Sequence, residues 1–137
     1  MTTVASTGDT DLQRLLAGLA PTLAPRPRAI RTQAQDAPLP ADALMLFRED
    51  EGTTVVAEVA GIADAAGDEP HWAQITLRIH SSLEAVGMMA AIASALAARG
   101  IPCNAVSAYF HDHLFVPWAR RDDALAALRQ LAAEARA

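Results

Sequence analysis

Between residues 72 and 80 the chain alternates residue by residue, and no other feature constrains the fold as tightly. Trp72, Gln74, Thr76, Arg78 and His80 share one side; Ala73, Ile75, Leu77 and Ile79 share the other. That period of two marks a strand with one face buried. Ser81 and Ser82 follow, with Glu84 placed to support a helix start by charge and side-chain capping. A helix is predicted from there to residue 99, closed by Gly100. Its apolar stripe is Leu83, Val86, Ala90, Ala93, Leu96 and Ala97, with Met89 beside it. Residues 101–110 read as a second strand, His111, Asp112 and His113 as a corner, and residues 114–118 as a third strand. Residues 120–135 read as a final helix with Leu125, Leu128 and Leu131 facing the core. The order strand–helix–strand–strand–helix is most of a split βαβ, ferredoxin-like α+β unit. Its last strand is missing, so the N-terminal half, a partner subunit or nothing at all supplies it.

The first half carries weaker signals. Leu12, Leu15, Leu16 and Leu19 recur at helical spacing behind Asp9 or Thr10 as a cap. Pro21 and Pro25 stop that helix, and Pro27 keeps the chain extended. Residues 29–33 alternate weakly as a strand. A hairpin is expected over residues 44–58, turning at Glu49, Asp50, Glu51 and Gly52. Residues 59–66 read as a short helix closed by Gly67. The sequence Gly67-Asp68-Glu69-Pro70 then divides the chain into residues 1–69 and 70–137. The first half follows a partly similar order of elements, as a degenerate copy of the second would, without a convincing internal repeat.

Composition removes several classes of function. The chain has 137 residues, enough for one compact domain or two small ones sharing a core. Its 11 basic residues are all arginine, so neither a Schiff-base lysine nor a phosphate-loop lysine is available. A net charge of −5 with no basic patch argues against nucleic acid as a partner. The single cysteine, Cys103, builds neither an internal disulfide nor a multi-cysteine zinc site. The longest apolar stretch, residues 82–98, contains Glu84 and is short for a membrane span. The N-terminus is polar and acidic, unlike a signal peptide. No membrane association, no cofactor motif and a cytoplasmic location are the corresponding expectations.

Few residues can carry chemistry. His111, Asp112 and His113, with His80 as a third nominee, suggest a metal site, but hydrogen bonding at a turn is the simpler reading and no metal is expected. Cys103, early in its strand beside Asn104, reads as a small buried side chain rather than a nucleophile. Gly87 in the first turns of the helix costs about 1 kcal/mol against alanine and marks a close approach to the backbone, by packing or by a ligand. A helix N-terminus at Ser81 and Ser82 offers unpaired N–H groups to a carboxylate. Asp112, if near that corner, is the partner for an ammonium group. Together they have what recognition of an α-amino acid needs. The competing reading is a small enzyme using His80, His111 and Asp112 in acid–base work; another is an interaction module with a vestigial pocket.

The blocks His80-Ser81-Ser82-Leu83-Glu84-Ala85-Val86-Gly87, Gly100-Ile101-Pro102-Cys103-Asn104 and Tyr109-Phe110-His111-Asp112-His113-Leu114-Phe115-Val116-Pro117 resemble the ACT-domain family. The likeness is to small stand-alone bacterial proteins of two ACT-like modules, and it runs over about residues 72–131. It implies a ferredoxin-like βαββαβ ACT module after a degenerate ACT-like half. It also implies a non-enzymatic, regulatory role in which modules pair side by side, as in a homodimer, around an amino-acid ligand. By that resemblance the strand-to-helix loop lines the site, with Ser81, Ser82, Leu83, Glu84, Val86 and Gly87. The start of the second strand adds Asn104, and an aspartate at that strand's end, matched here by Asp112 next to His111, holds the ligand's amino group. Classical members regulate an enzyme fused to them. No catalytic domain is read in these residues, so the expectation is that output passes to a separate protein target.

Overall fold

The computed structural model describes residues 8, 10–59 and 69–137. The helix expected over residues 59–66 therefore lies, but for Val59, outside the described residues. The elements run α1 (Leu12–Ala17), β1 (Pro21–Leu23), β2 (Arg28–Gln33), β3 (Met45–Arg48), β4 (Thr53–Glu58), β5 (Trp72–Leu77), α2 (Met88–Ala97), β6 (Asn104–Ser107), β7 (Asp112–Pro117) and α3 (Arg121–Arg136). Asp11, not Asp9 or Thr10, caps α1, its carboxylate accepting the Arg14 N–H at 2.9 Å.

All strands among the described residues join one antiparallel, seven-stranded sheet in the order β3-β4-β2-β5-β7-β6, with β1 also on β5. The strands β6-β7-β5-β1 have the ferredoxin-like order, with β1 in the place of the absent last strand. The N-terminal half thus supplies it: Pro21, Thr22 and Leu23 pair with Leu77, Thr76 and Ile75. The chain bends out through Pro25 and Pro27 and returns to the same edge of β5 at Arg28, opposite Trp72. The chain from β1 to β2 therefore stitches the two halves together, and the β3–β4 hairpin forms as the sequence indicates.

Three helices cover one face of β5 and β7. Ala73, Ile75, Leu77, Leu114 and Val116 point into that layer against Leu15, Leu19, Ile92, Leu96 and Leu128, all buried. This is the face that the alternation from residue 72 assigns to the core. The strand itself ends at Leu77 rather than residue 80, and β6 is shorter than residues 101–110.

The helix after β5 departs most from expectation. It begins at Met88, not at Ser81 or Ser82, and ends at Ala97. Its buried residues are Met88, Ile92 and Leu96. Leu83 and Val86, read as the start of its stripe, lie in the preceding loop, 66% and 82% exposed. The local reason is Gly87, whose φ of +96° breaks helical continuity just before Met88.

Candidate functional site

The loop from β5 to α2 is built by short-range bonds. Ser82 Oγ accepts the Glu84 N–H at 3.1 Å, and the Ser82 carbonyl accepts the Ala85 N–H at 3.0 Å, which folds residues 82–85 into a turn. Behind the loop lies Gly8, also at positive φ. A Cβ there would sit 2.5 Å from the Ser81 carbonyl carbon, so only glycine allows this backbone approach. At Gly87 the close neighbour is Leu12 of α1, 3.2 Å from where a Cβ would be. Of the two explanations for that glycine, packing therefore accounts for the approach, together with its left-handed backbone.

Opposite the loop, β6 and β7 turn at Tyr109 and Phe110, the Ala108 N–H donating to the His111 carbonyl at 3.1 Å. Asp112 is thus the first residue of β7, across from Ser107, rather than the middle of a corner. It shares the helix-covered face with Leu114 and Val116, and it is 6% exposed. Its Oδ2 accepts a hydrogen bond from Ser81 Oγ at 3.0 Å. A buried carboxylate has more acceptor capacity than one hydroxyl fills.

Between loop and turn is a cavity of about 130 Å³, lined among others by Ser81, Ser82, Gly87, Met88, Ser107 and Asp112. Leu83 and Ala85 add to its loop side, Met89 and Ala90 to its helix side, and Ala108 to the facing turn. The first turn of α2 therefore faces the cavity, and no side chain among the described residues caps it. Its unpaired N–H groups carry partial positive charge. The cavity has donors at one wall and a buried carboxylate with hydroxyls at another. It is close in size to a cavity of roughly 150 Å³ that holds benzene, so it suits a small ligand.

Five of the nine residues anticipated for this site, Ser81, Ser82, Leu83, Gly87 and Asp112, line the cavity. Glu84 and Val86 are exposed on the same loop outside it. Asn104 is not brought there: it pairs with Phe115, on the opposite face of the sheet from Asp112. His111 sits with His113, their rings 6.5 Å apart, and His80 packs against Tyr109 and Phe110 at 6.3 and 5.5 Å. The three groups of the acid–base reading thus have different partners. Among the described residues no three His, Cys, Asp or Glu side chains converge as metal ligands. Burial pushes the Cys103 thiol above its ordinary value, away from nucleophilic reactivity. Gly8, Ser107 and Met88 were missed. Ser107 follows only once the four-residue turn at 108–111, which sets it opposite Asp112, is known.

The chain belongs to the ACT-domain family. ACT-domain models match residues 7–69 and residues 69–130 in tandem. A Vibrio cholerae protein of unknown function, described as a possible transport protein, is 36% identical. The match covers 84% of this chain and 91% of that one, with a TM-score of 0.72. An Agobacterium tumefaciens protein shares the fold at 19% identity, covering 78% and 84% of the two chains, TM-score 0.65. So does the regulatory subunit of aspartate kinase from Thermus flavus at 13% identity, covering 81% and 95%, TM-score 0.59. No curated protein gives a match. No helix among the described residues is long and apolar enough to cross a membrane.

Proposed function

We propose that this chain is a regulatory, non-enzymatic ACT protein that binds an α-amino acid between residues 81–90 and Asp112. The observation that carries this reading is the uncapped N-terminus of α2 and the buried Asp112 carboxylate lining one small cavity. The helix N–H groups bind the ligand carboxylate, and Asp112 with Ser81 binds its ammonium group. Leu83 and Val86 beside the cavity, with Tyr109 and Phe110 at the facing turn, leave apolar surface at the rim of the site. A second copy of the chain covering that rim makes the working form a homodimer with ligand at or near the interface. Ligand then acts on a separate protein target by favouring one dimer geometry, limited to its differential affinity for the two states.

A thermal-shift screen against the twenty amino acids tests this. A ligand at one hundred times its dissociation constant stabilises by about 2.7 kcal/mol. The reading requires a selective shift that disappears in Asp112→Asn, a variant that keeps an acceptor for Ser81. Sedimentation of Phe110→Glu should show a shift towards monomer; an unchanged dimer would remove the rim from the interface.

A further inference from the structure

On the other face of the sheet lies a second cavity, about 300 Å³, which the amino-acid site does not use. Leu44, Met45, Gln74, Val106, His113 and Phe115 line it. Pairing registers carry one face continuously across the sheet: Met45 with Val56, Gln74 with Phe115, and His113 with Val106. Met45 and Val106 belong to β3 and β6, the first and last strands of the order. In a flat sheet five spacings of roughly 4.8 Å would hold them about 24 Å apart. Here both border one cavity, so the sheet curves over this face and the two halves of the chain line one half-open pocket together.

The lining is apolar apart from Gln74 and His113, and those two are held in one orientation. Buried Arg28, 3.1 Å from Glu58, donates through Nε to Gln74 Oε1 at 3.0 Å. Arginine has only donors, so this contact fixes the oxygen end of the amide. The Gln74 amide nitrogen then faces His113 Nδ1 at 3.3 Å, and Thr76 Oγ1 lies 2.9 Å from the same nitrogen. The Gln74 amide nitrogen can only donate, to His113 Nδ1 or to Thr76 Oγ1, each at 3.3 Å; in the tautomer in which Nδ1 accepts, the ring proton sits on Nε2. Burial, reinforced by His111 nearby, lowers the His113 pKa and keeps the ring neutral. In that tautomer Glu58, Arg28, Gln74 and Thr76 together present a histidine that lines an apolar cavity with Nε2–H as its remaining polar group.

We propose that this cavity is a second small-molecule site, for a compound with an apolar body and a carbonyl or carboxylate oxygen that accepts from His113 Nε2–H. Its volume is in the range of small-ligand pockets. Both halves of the chain contribute walls, so a bound compound bridges Met45 of one and Val106 of the other.

The test is an NMR titration of the full chain at pH 7.5 with phenylacetate and with hexanoate as probes. Saturable shifts are expected at the Met45 and Val106 methyl groups and on the His113 ring. His113→Phe keeps the apolar wall and removes the donor, so affinity should fall by about tenfold to a hundredfold, as losing a hydrogen bond to a charged group does. Met45→Trp fills the cavity and should abolish binding, with Val106→Trp as the substitute if it does not fold. Asp112→Asn should leave these shifts intact, which separates this site from the amino-acid site. No saturable shift with either probe, equal affinity in His113→Phe, or shifts confined to Ser81 and Asp112 would overturn the proposal.

Discussion

Two glycines at positive φ, one at each end of α2, allow a controlled test of how the loop and helix are held. Gly87 has φ +96° and Gly100 has φ +68°. Alanine at either position is forced into a left-handed conformation, which costs about 1–2 kcal/mol. The reduced freedom of the unfolded chain opposes this with about 0.4–1 kcal/mol. Around Gly100 nothing among the described residues lies within 4 Å of an added Cβ, so Gly100→Ala should show the backbone cost alone, near 1 kcal/mol. For a chain of this length that is a fall in Tm of about 3–4 °C. At Gly87 the new methyl meets Leu12 Cδ2 at 3.2 Å, but Leu12 is 39% exposed and can give way. Gly87→Ala should therefore cost the same backbone amount and a few tenths of a kcal/mol more for this contact (a magnitude typical of small surface adjustments). Denaturant melts of Gly87→Ala, Leu12→Ala and the double variant isolate the contact as a coupling energy. The reasoning fails if Gly87→Ala is as stable as the parent, or if the coupling with Leu12 is zero while Gly100→Ala is the more damaging change.

Three further outcomes follow from the geometry. Gly8→Ala places a Cβ against the Ser81–Ser82 backbone, which is not a flexible side-chain tip, so it should lower Tm more than either α2 glycine variant; an equal or smaller loss in the same melts would remove Gly8 from the loop's support. Asp112→Ala leaves the buried Ser81 hydroxyl without its acceptor and should cost about 1–3 kcal/mol, with Ser81→Ala/Asp112→Ala costing less than the sum of the single changes; strict additivity would deny the pair. His113 is held below its ordinary pKa by burial first and by His111 second, with Asp112 opposing and Arg78 adding to the fall. The unfolded chain therefore takes up this proton first as pH drops, so the stabilisation is complete above about pH 6.5 and is lost on acidification through the folded-state pKa. A Tm profile from pH 8 to pH 5 should show that loss, and His113→Gln should flatten it; an unchanged slope would contradict the assignment. Glu69, whose pKa Arg31 lowers through a hydrogen-bonded ion pair, acts in a separate window, below about pH 4.5.

The parts of the fold that depend on short-range pattern were legible. The alternation over residues 72–80 gave the central strand and its core face, although the strand ends at Leu77; α1 instead closes at Gly18, ahead of Pro21, which opens β1. Placement of α2 was not legible, because Leu83 and Val86 fit a helical stripe and nothing local shows that their side chains face solvent. Gly87 at φ +96° decides the matter, and a backbone angle is a property of the folded loop rather than of composition. The stand-in for the missing strand was equally hidden. β1 is three residues long and begins with proline, so only its tertiary pairing to Ile75, Thr76 and Leu77 makes it a strand. Within the site, Ser81 and Asp112 were anticipated as a constellation and meet at 3.0 Å. Asn104 failed for a register reason: as the residue opposite Phe115 it is on the far face, and a sequence does not print register until the turn is known.

The central claim is that one cavity reads both ends of an α-amino acid. Isothermal titration tests it most directly, comparing the amino acid selected by the thermal screen with its amine and its des-amino acid on the parent protein and on Asp112→Asn. On the parent, loss of either the carboxylate or the ammonium group should weaken binding by at least about tenfold, the effect of one charge-assisted hydrogen bond. On Asp112→Asn the amino acid and the des-amino acid should bind alike. An amine that binds the parent as well as the amino acid does, or an Asp112→Asn protein with unchanged affinity, would contradict the account.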